Sequence, residues 1–222
     1  MTERGMIFNA EMVRALLDGR KTQTRRIMKV QPVLNGNFYE VFGSAWSKGM
    51  TSIPAVPGHS LSTRCPFGAV GDRIWVREGF FPAPLEMQSE PPRKTMWNIA
   101  YRDGMQMEKL APAEYNPTIY NYERWTPSIH MPRWASRILL EITNVRVERL
   151  SAISEEDARA EGIIDGGCLN CGEPEPCGCA NPEPDATDAF AYLWQSIYGQ
   201  ENWNANPWVW VISFKRVEGG AA

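Results

Sequence analysis

The 222-residue sequence predicts an α+β fold, a small β-barrel decorated with a few short helices. Several short runs show strand periodicity, the helical runs are brief and bounded by capping residues, and no internal repeat appears. One elaborated domain over 1–222 is expected, because domains commonly run to roughly 100–200 residues.

Each element has its own reason. Asn9 can cap a first helix whose apolar face is Met12, Val13, Leu16 and Leu17, and Gly19 sits just past its end. A strand over Lys21–Met28 follows. From about 30 to 68 the chain is rich in Pro, Gly, Ser and Asn, which reads as an insertion of long loops holding at most a hairpin. Gly71-Asp72 marks a turn, and Arg73–Glu78 then alternates, with Ile74 and Val76 on one face. A second insertion, at about 82–135, is dense in Pro and aromatic residues without a sustained period. A stretch that long reads as an elaboration packed on the barrel. Arg137–Leu150 is the next strand region. Ser154-Glu155-Glu156-Asp157 starts a helix that Gly162 stops. Asp188 caps another, with Phe190, Leu193, Trp194, Ile197 and Tyr198 in one stripe and Gly199 at its close. The last strand, Trp208–Val217, is apolar on both faces through Ile212, as a central strand would be.

Composition narrows the function classes. The net charge of −3 announces no nucleic-acid partner, but the charge is unevenly placed. Residues 1–80 hold 11 Lys/Arg against 6 Asp/Glu (+5), and residues 81–222 hold 12 against 20 (−8), which recovers −3. A basic N-terminal portion can steer an anion, or it can simply be a solvated face. No apolar run approaches the roughly 18 residues of a membrane span. The N-terminus lacks the order of a signal peptide, so a soluble, cytoplasmic protein with no membrane partner is expected.

Of the five cysteines, Cys168, Cys171, Cys177 and Cys179 fall within twelve residues. Four thiolates complete one tetrahedral zinc shell, so a structural zinc is expected there. The other reading is a flexible, reduced loop. Cys65, before Pro66, reads as a packing residue.

Chemistry concentrates in Gly19-Arg20-Lys21-Thr22-Gln23-Thr24-Arg25-Arg26. A lysine at a barrel mouth is a point charge for phosphate, and desolvation turns it into a proton acceptor. A threonine beside such a base can become a nucleophile, and arginines orient phosphate or carboxylate by paired hydrogen bonds. The plainer alternative is an edge strand whose charges prevent unwanted pairing.

The pattern G-x-K-T-x-T-x-R, closing a short helix, resembles the signature of the ASCH family, a branch of the PUA-like barrels. The likeness continues in order. Gly71-Asp72-Arg73-Ile74-Trp75-Val76 resembles the family's second strand after its turn. Leu150-Ser151-Ala152-Ile153-Ser154 leading to Ala160-Glu161-Gly162 resembles its strand-to-helix segment, and Val211-Ile212-Ser213-Phe214 its closing strand. The long form, with Ile129-His130-Met131-Pro132-Arg133-Trp134-Ala135-Ser136-Arg137 and a Trp-rich C-terminus, looks like ASCH proteins of bacteriophages and prophages.

The resemblance implies RNA or a modified nucleoside as ligand, bound in a basic cleft. Arg20, Lys21, Thr22, Arg25 and Arg26 would line that cleft. It also implies an enzymatic alternative, an amidohydrolase acting on acylated cytidine-type nucleosides, or a ribonuclease. The amidohydrolase motif falls on Lys21, Thr24 and Glu161. On an ideal strand Lys21 and Thr24 point to opposite faces, so the triad needs Lys21 in the turn or a bulge. Arg133 and Trp134 interleave base and aromatic and could stack a nucleobase. A third reading makes the Trp-rich surface a docking site for a host protein.

Overall fold

The computed structural model describes residues 1–35, 38–40, 52–54, 65–87, 95–111, 124–164 and 186–217. In chain order the first elements are β1 (Glu3–Ile7), α1 (Ala10–Leu17), β2 (Gln23–Ile27), β3 (Val33–Asn35), β4 (Phe38–Glu40), β5 (Ser52–Pro54) and β6 (Arg73–Arg77). Then come β7 (Phe80–Met87), β8 (Thr95–Tyr101), β9 (Gln106–Leu110), β10 (Leu139–Arg149), α2 (Glu155–Ala160), α3 (Ala186–Tyr198), α4 (Gln200–Asn204) and β11 (Trp208–Val217). The fold is mixed α+β, dominated by sheet. Among the described residues the strands form separate sheets and close no barrel. Among the same residues no helix is long and apolar enough to cross a membrane.

The chain divides into two compact units. One holds Met1–Leu17, Asp72–Glu141 and Arg216–Ala222, and the other Asp18–Gly71 and Ile142–Lys215. β10 starts in the first and continues in the second.

In the first unit β1 runs parallel to β6, from Glu3 opposite Arg73 to Ile7 opposite Arg77. The start of β10 runs antiparallel on β6's other side. The alternation of β6 comes out as its sequence predicts: Ile74 and Val76 are fully buried, and Arg73, Trp75 and Arg77 are half-buried. Gly5 is required by packing, since a Cβ there would lie 2.6 Å from the Trp75 ring. In α1, Asn9 Oδ1 accepts the Met12 N–H at 2.8 Å, the expected cap, and Val13, Ala15 and Leu16 are buried.

The 82–135 insertion differs from the expected elaboration without a period. It contains an antiparallel meander ordered β7-β8-β9. Trp97, Ile99 and Tyr101 alternate inward from β8 and share a core with Phe80, Met131 and Ala135. Pro82 and Pro84 disguise β7 as a loop. They are tolerated because β7 is an edge strand, where a missing N–H costs no ladder bond.

In the second unit the order is the remainder of β10, then β11, then β2. β2 pairs antiparallel with β11, from Ile27 opposite Val209 to Gln23 opposite Ser213. Ser154 Oγ accepts the Asp157 N–H at 3.2 Å and starts α2, and Gly162 (φ 92°) ends it. α3 begins two residues before the expected cap at Asp188. Leu150, Ile153, Ala158, Phe190, Trp194, Val209 and Val211 form one core, with Ile27 packed against it. Burying each large apolar side chain of this kind contributes about 1.5–3 kcal/mol before chain entropy is counted. Part of the 30–68 loop insertion is also ordered differently, as the three short antiparallel strands β3, β4 and β5.

Candidate functional site

Lys21 lies just before β2, where its backbone makes an isolated bridge with Glu161. The Thr22 N–H donates to Ala160 O at 2.8 Å, and Thr22 O accepts the Phe214 N–H at 2.9 Å. The chain leaving Gly19 (φ 77°) is thereby pinned between the end of α2 and β11. Glu161 occupies the C-cap of α2 with αR backbone angles.

Two side chains that are distant in sequence meet at this point. Lys21 Nζ donates to Glu161 Oε2 at 2.7 Å and to Glu161 O at 2.8 Å, and both side chains are buried. Burial pushes the Lys21 amine below its ordinary value. The Glu161 charge and hydrogen bond pull upward without overcoming it, and Arg26 and Arg25 add to the lowering.

Around the pair runs a continuous ionic network. Arg25, also buried, reaches Asp157 at 2.8 Å, Glu148 at 3.3 Å and Glu161 at 3.4 Å. Its guanidinium lies 5.8 Å from the Phe190 ring centroid. Arg146 bonds Glu148, donates to Asp157 at 2.5 Å, and donates to Gln23 Oε1 at 2.9 Å. Burial alone would raise Asp157. The hydrogen bonds and charges of Arg146 and Arg25 outweigh it and hold the carboxyl below its usual range. Three basic side chains (Lys21, Arg25, Arg146) thus face three acidic ones (Glu148, Asp157, Glu161).

The other expected site residues divide clearly. Arg20 is half-buried and committed to Gly162 O at 2.7 Å and to Asp18 at 2.9 Å. Thr22 is exposed. Alternation along β2 sends Gln23 and Arg25 to one face and Thr24 and Arg26 to the other. Thr24 is buried opposite Ile212, and among the described residues no hydrogen bond joins it to Lys21 or Glu161. Arg26 is half-buried opposite Trp210. Arg133 and Trp134 belong to the first unit. There Arg133 Nε donates to Glu3 at 2.8 Å, and Trp134 packs against the core around Phe80. Cys168, Cys171, Cys177 and Cys179 lie outside the described residues, and Cys65 is half-buried.

Motif reading missed Gln23, Arg146, Glu148 and Asp157. A signal for them was present. Asp157 and Glu161 are four apart on one helix face, and Arg146 and Glu148 two apart on one strand face. What no local pattern carries is that both pairs converge on Arg25.

The arrangement can do two things chemically. It holds a lysine whose amine gives up its proton more readily than in water, and it fixes that amine against a carboxylate. It does not present a row of unspent guanidiniums. No family model, no curated protein and no solved structure matches this chain.

Proposed function

We propose that the second unit is an ASCH-type, PUA-like barrel that binds a modified nucleoside and hydrolyses its acyl amide. The observation that carries this reading is the buried Lys21–Glu161 pair at 2.7 Å with the lysine pKa lowered. That pairing suits proton transfer. Phosphate holding is less well served, because Arg20 and Arg25 are already bound to carboxylates. An uncharged nucleoside therefore fits the site better than an RNA backbone.

In this reading neutral Lys21 takes the proton from the attacking oxygen, which bonds to the acyl carbonyl carbon. The C–N bond then breaks, and the lysine returns the proton to the departing amine; where the oxygen is Thr24 Oγ, water then cleaves the acyl-threonine ester to release the acid. Glu161 orients Lys21 throughout. A zinc held by Cys168, Cys171, Cys177 and Cys179 would staple their acidic, proline-broken loop, and four thiolates leave no open position for catalysis.

The test is a screen of N-acylated nucleosides with acyl release as the readout. Lys21→Ala is expected to lower turnover by about a hundred-fold or more, and Glu161→Gln to be similarly severe. Wild-type rate should rise with pH through the apparent Lys21 pKa, below the ordinary lysine value of 10.5. Thr24→Ala assigns the attacking oxygen: lost turnover gives it to Thr24, retained turnover to water. A wild-type protein that neither binds nor deacylates any such nucleoside overturns the reading.

A further inference from the structure

Within the first unit a cavity of about 400 Å³ opens beside the start of α1, the end of β6 and the turn after β8. That volume lies inside the usual range for small-molecule sites, about 300–1,000 Å³. Its floor is ionic: the side chains of Arg137 and Glu78 are buried, and Asp103 beside them is open to solvent. Arg137 donates through Nε and Nη2 to the two oxygens of Glu78 at 2.9 and 2.8 Å, and its Nη1 lies 2.9 Å from Asp103. The same guanidinium sits 4.0 Å from the Tyr101 ring centroid, which locks its plane. A buried pair such as Arg137–Glu78 adds little stability over an apolar replacement.

Two more guanidiniums line the cavity with no carboxylate partner among the described residues. Arg14 projects from α1, and Arg102 is held 4.3 Å from the Trp125 ring centroid. Both are exposed, whereas Arg137 is buried and already shared between two carboxylates. The first residue of α1, Ala10, lies at the wall too, so the positive end of that helix faces the same space. Pro127, which is exposed, supplies apolar surface.

The charge order restricts the ligand. Glu78 and Asp103 at the floor repel a molecule that is anionic throughout, and Arg14 and Arg102 leave two cations to be matched. We propose that this cavity binds a nucleoside monophosphate, with its phosphate on Arg14 and Arg102, its ring on Pro127, and its N–H groups turned to the floor carboxylates. Each carboxylate oxygen of Glu78 has a second lone pair to accept from such a donor. The site lies in a different unit from Lys21 and does not depend on the nucleoside reading above.

Calorimetric titration of the full chain tests it. The probes are the four ribonucleoside 5′-monophosphates, each beside its unphosphorylated nucleoside, with inorganic phosphate as a further arm. At least one monophosphate should bind once per chain, about ten-fold or more tighter than its nucleoside, and more weakly as salt rises. Arg14→Ala and Arg102→Ala, both on exposed side chains, should each weaken it by about ten-fold. The proposal is overturned if no monophosphate binds, if nucleoside or inorganic phosphate binds equally well, or if both arginine variants bind unchanged.

Discussion

Arg25 shows how much one residue can hold in place. It touches three carboxylates from β10, α2 and the α2 C-cap, and its own side chain has no exposed surface. Removing it leaves Asp157 and Glu148 to Arg146 alone and Glu161 to Lys21 alone. Arg25→Met is therefore expected to destabilise the fold by about 3–5 kcal/mol, the range for breaking a buried pair from one side. Urea denaturation would measure it, and a change under about 1 kcal/mol would show that the network is dispensable. Arg25→Lys should rescue little, because a single ammonium cannot bridge three acceptors spread along a fork. The resemblance singles out Lys21, Thr24 and Glu161; Lys21 and Glu161 meet, while Thr24 lies on the other face of β2 from Arg25. The sequence does not reveal that the arginine charge is consumed internally, because the carboxylates doing so lie more than a hundred positions along the chain.

The start of α3 illustrates the same limit for a whole element. The Glu155 carboxylate in α2 accepts the N–H groups of Ala186 and Thr187 at 3.0 and 3.1 Å, so one helix caps another. Local reading instead expects Asp188 as the cap, because a side chain that caps its own helix is the only kind a short window contains. Glu155→Ala should fray the first turn of α3 and cost about 1 kcal/mol. Amide exchange at Ala186 and Thr187 would report it, and unchanged protection there would remove Glu155 from that role. The meander β7-β8-β9 was half legible. Trp97, Ile99 and Tyr101 alternate as a strand should, but the prolines of β7 and the short reach of each run hide the sheet. The strands over Arg73–Arg77 and Trp208–Val217 were legible because the first alternates along its length and the second opens on five consecutive apolar residues, Trp208 to Ile212.

For the molecule as a whole, composition and periodicity were enough for the α+β class. The two compact units were not legible, because each is assembled from separate stretches of chain and no compositional break falls at their boundaries. The zinc expectation belongs to this scale too, since it rests on Cys168, Cys171, Cys177 and Cys179, which fall between α2 and α3 in the sequence. Protein purified without chelator should contain close to one zinc per chain, read by elemental analysis. A metal-free preparation whose four clustered thiols titrate freely at unchanged thermal stability would end that expectation.

The order of pairing has a consequence for how this chain leaves the ribosome. β1 emerges early, but its parallel partner β6 begins only at Arg73. β2 emerges next and waits far longer, since its partner in the second unit is β11 at Val209–Ser213. Until then Gln23, Arg25 and Ile27 sit on a strand with no ladder: β11 has not been made, and once it has, pairing at such sequence separation is slow. A nascent chain of this kind exposes an unpaired strand through most of its synthesis, which is the state chaperones bind and aggregates grow from. A premature stop anywhere before residue 208 should therefore yield insoluble protein rather than a shorter functional one.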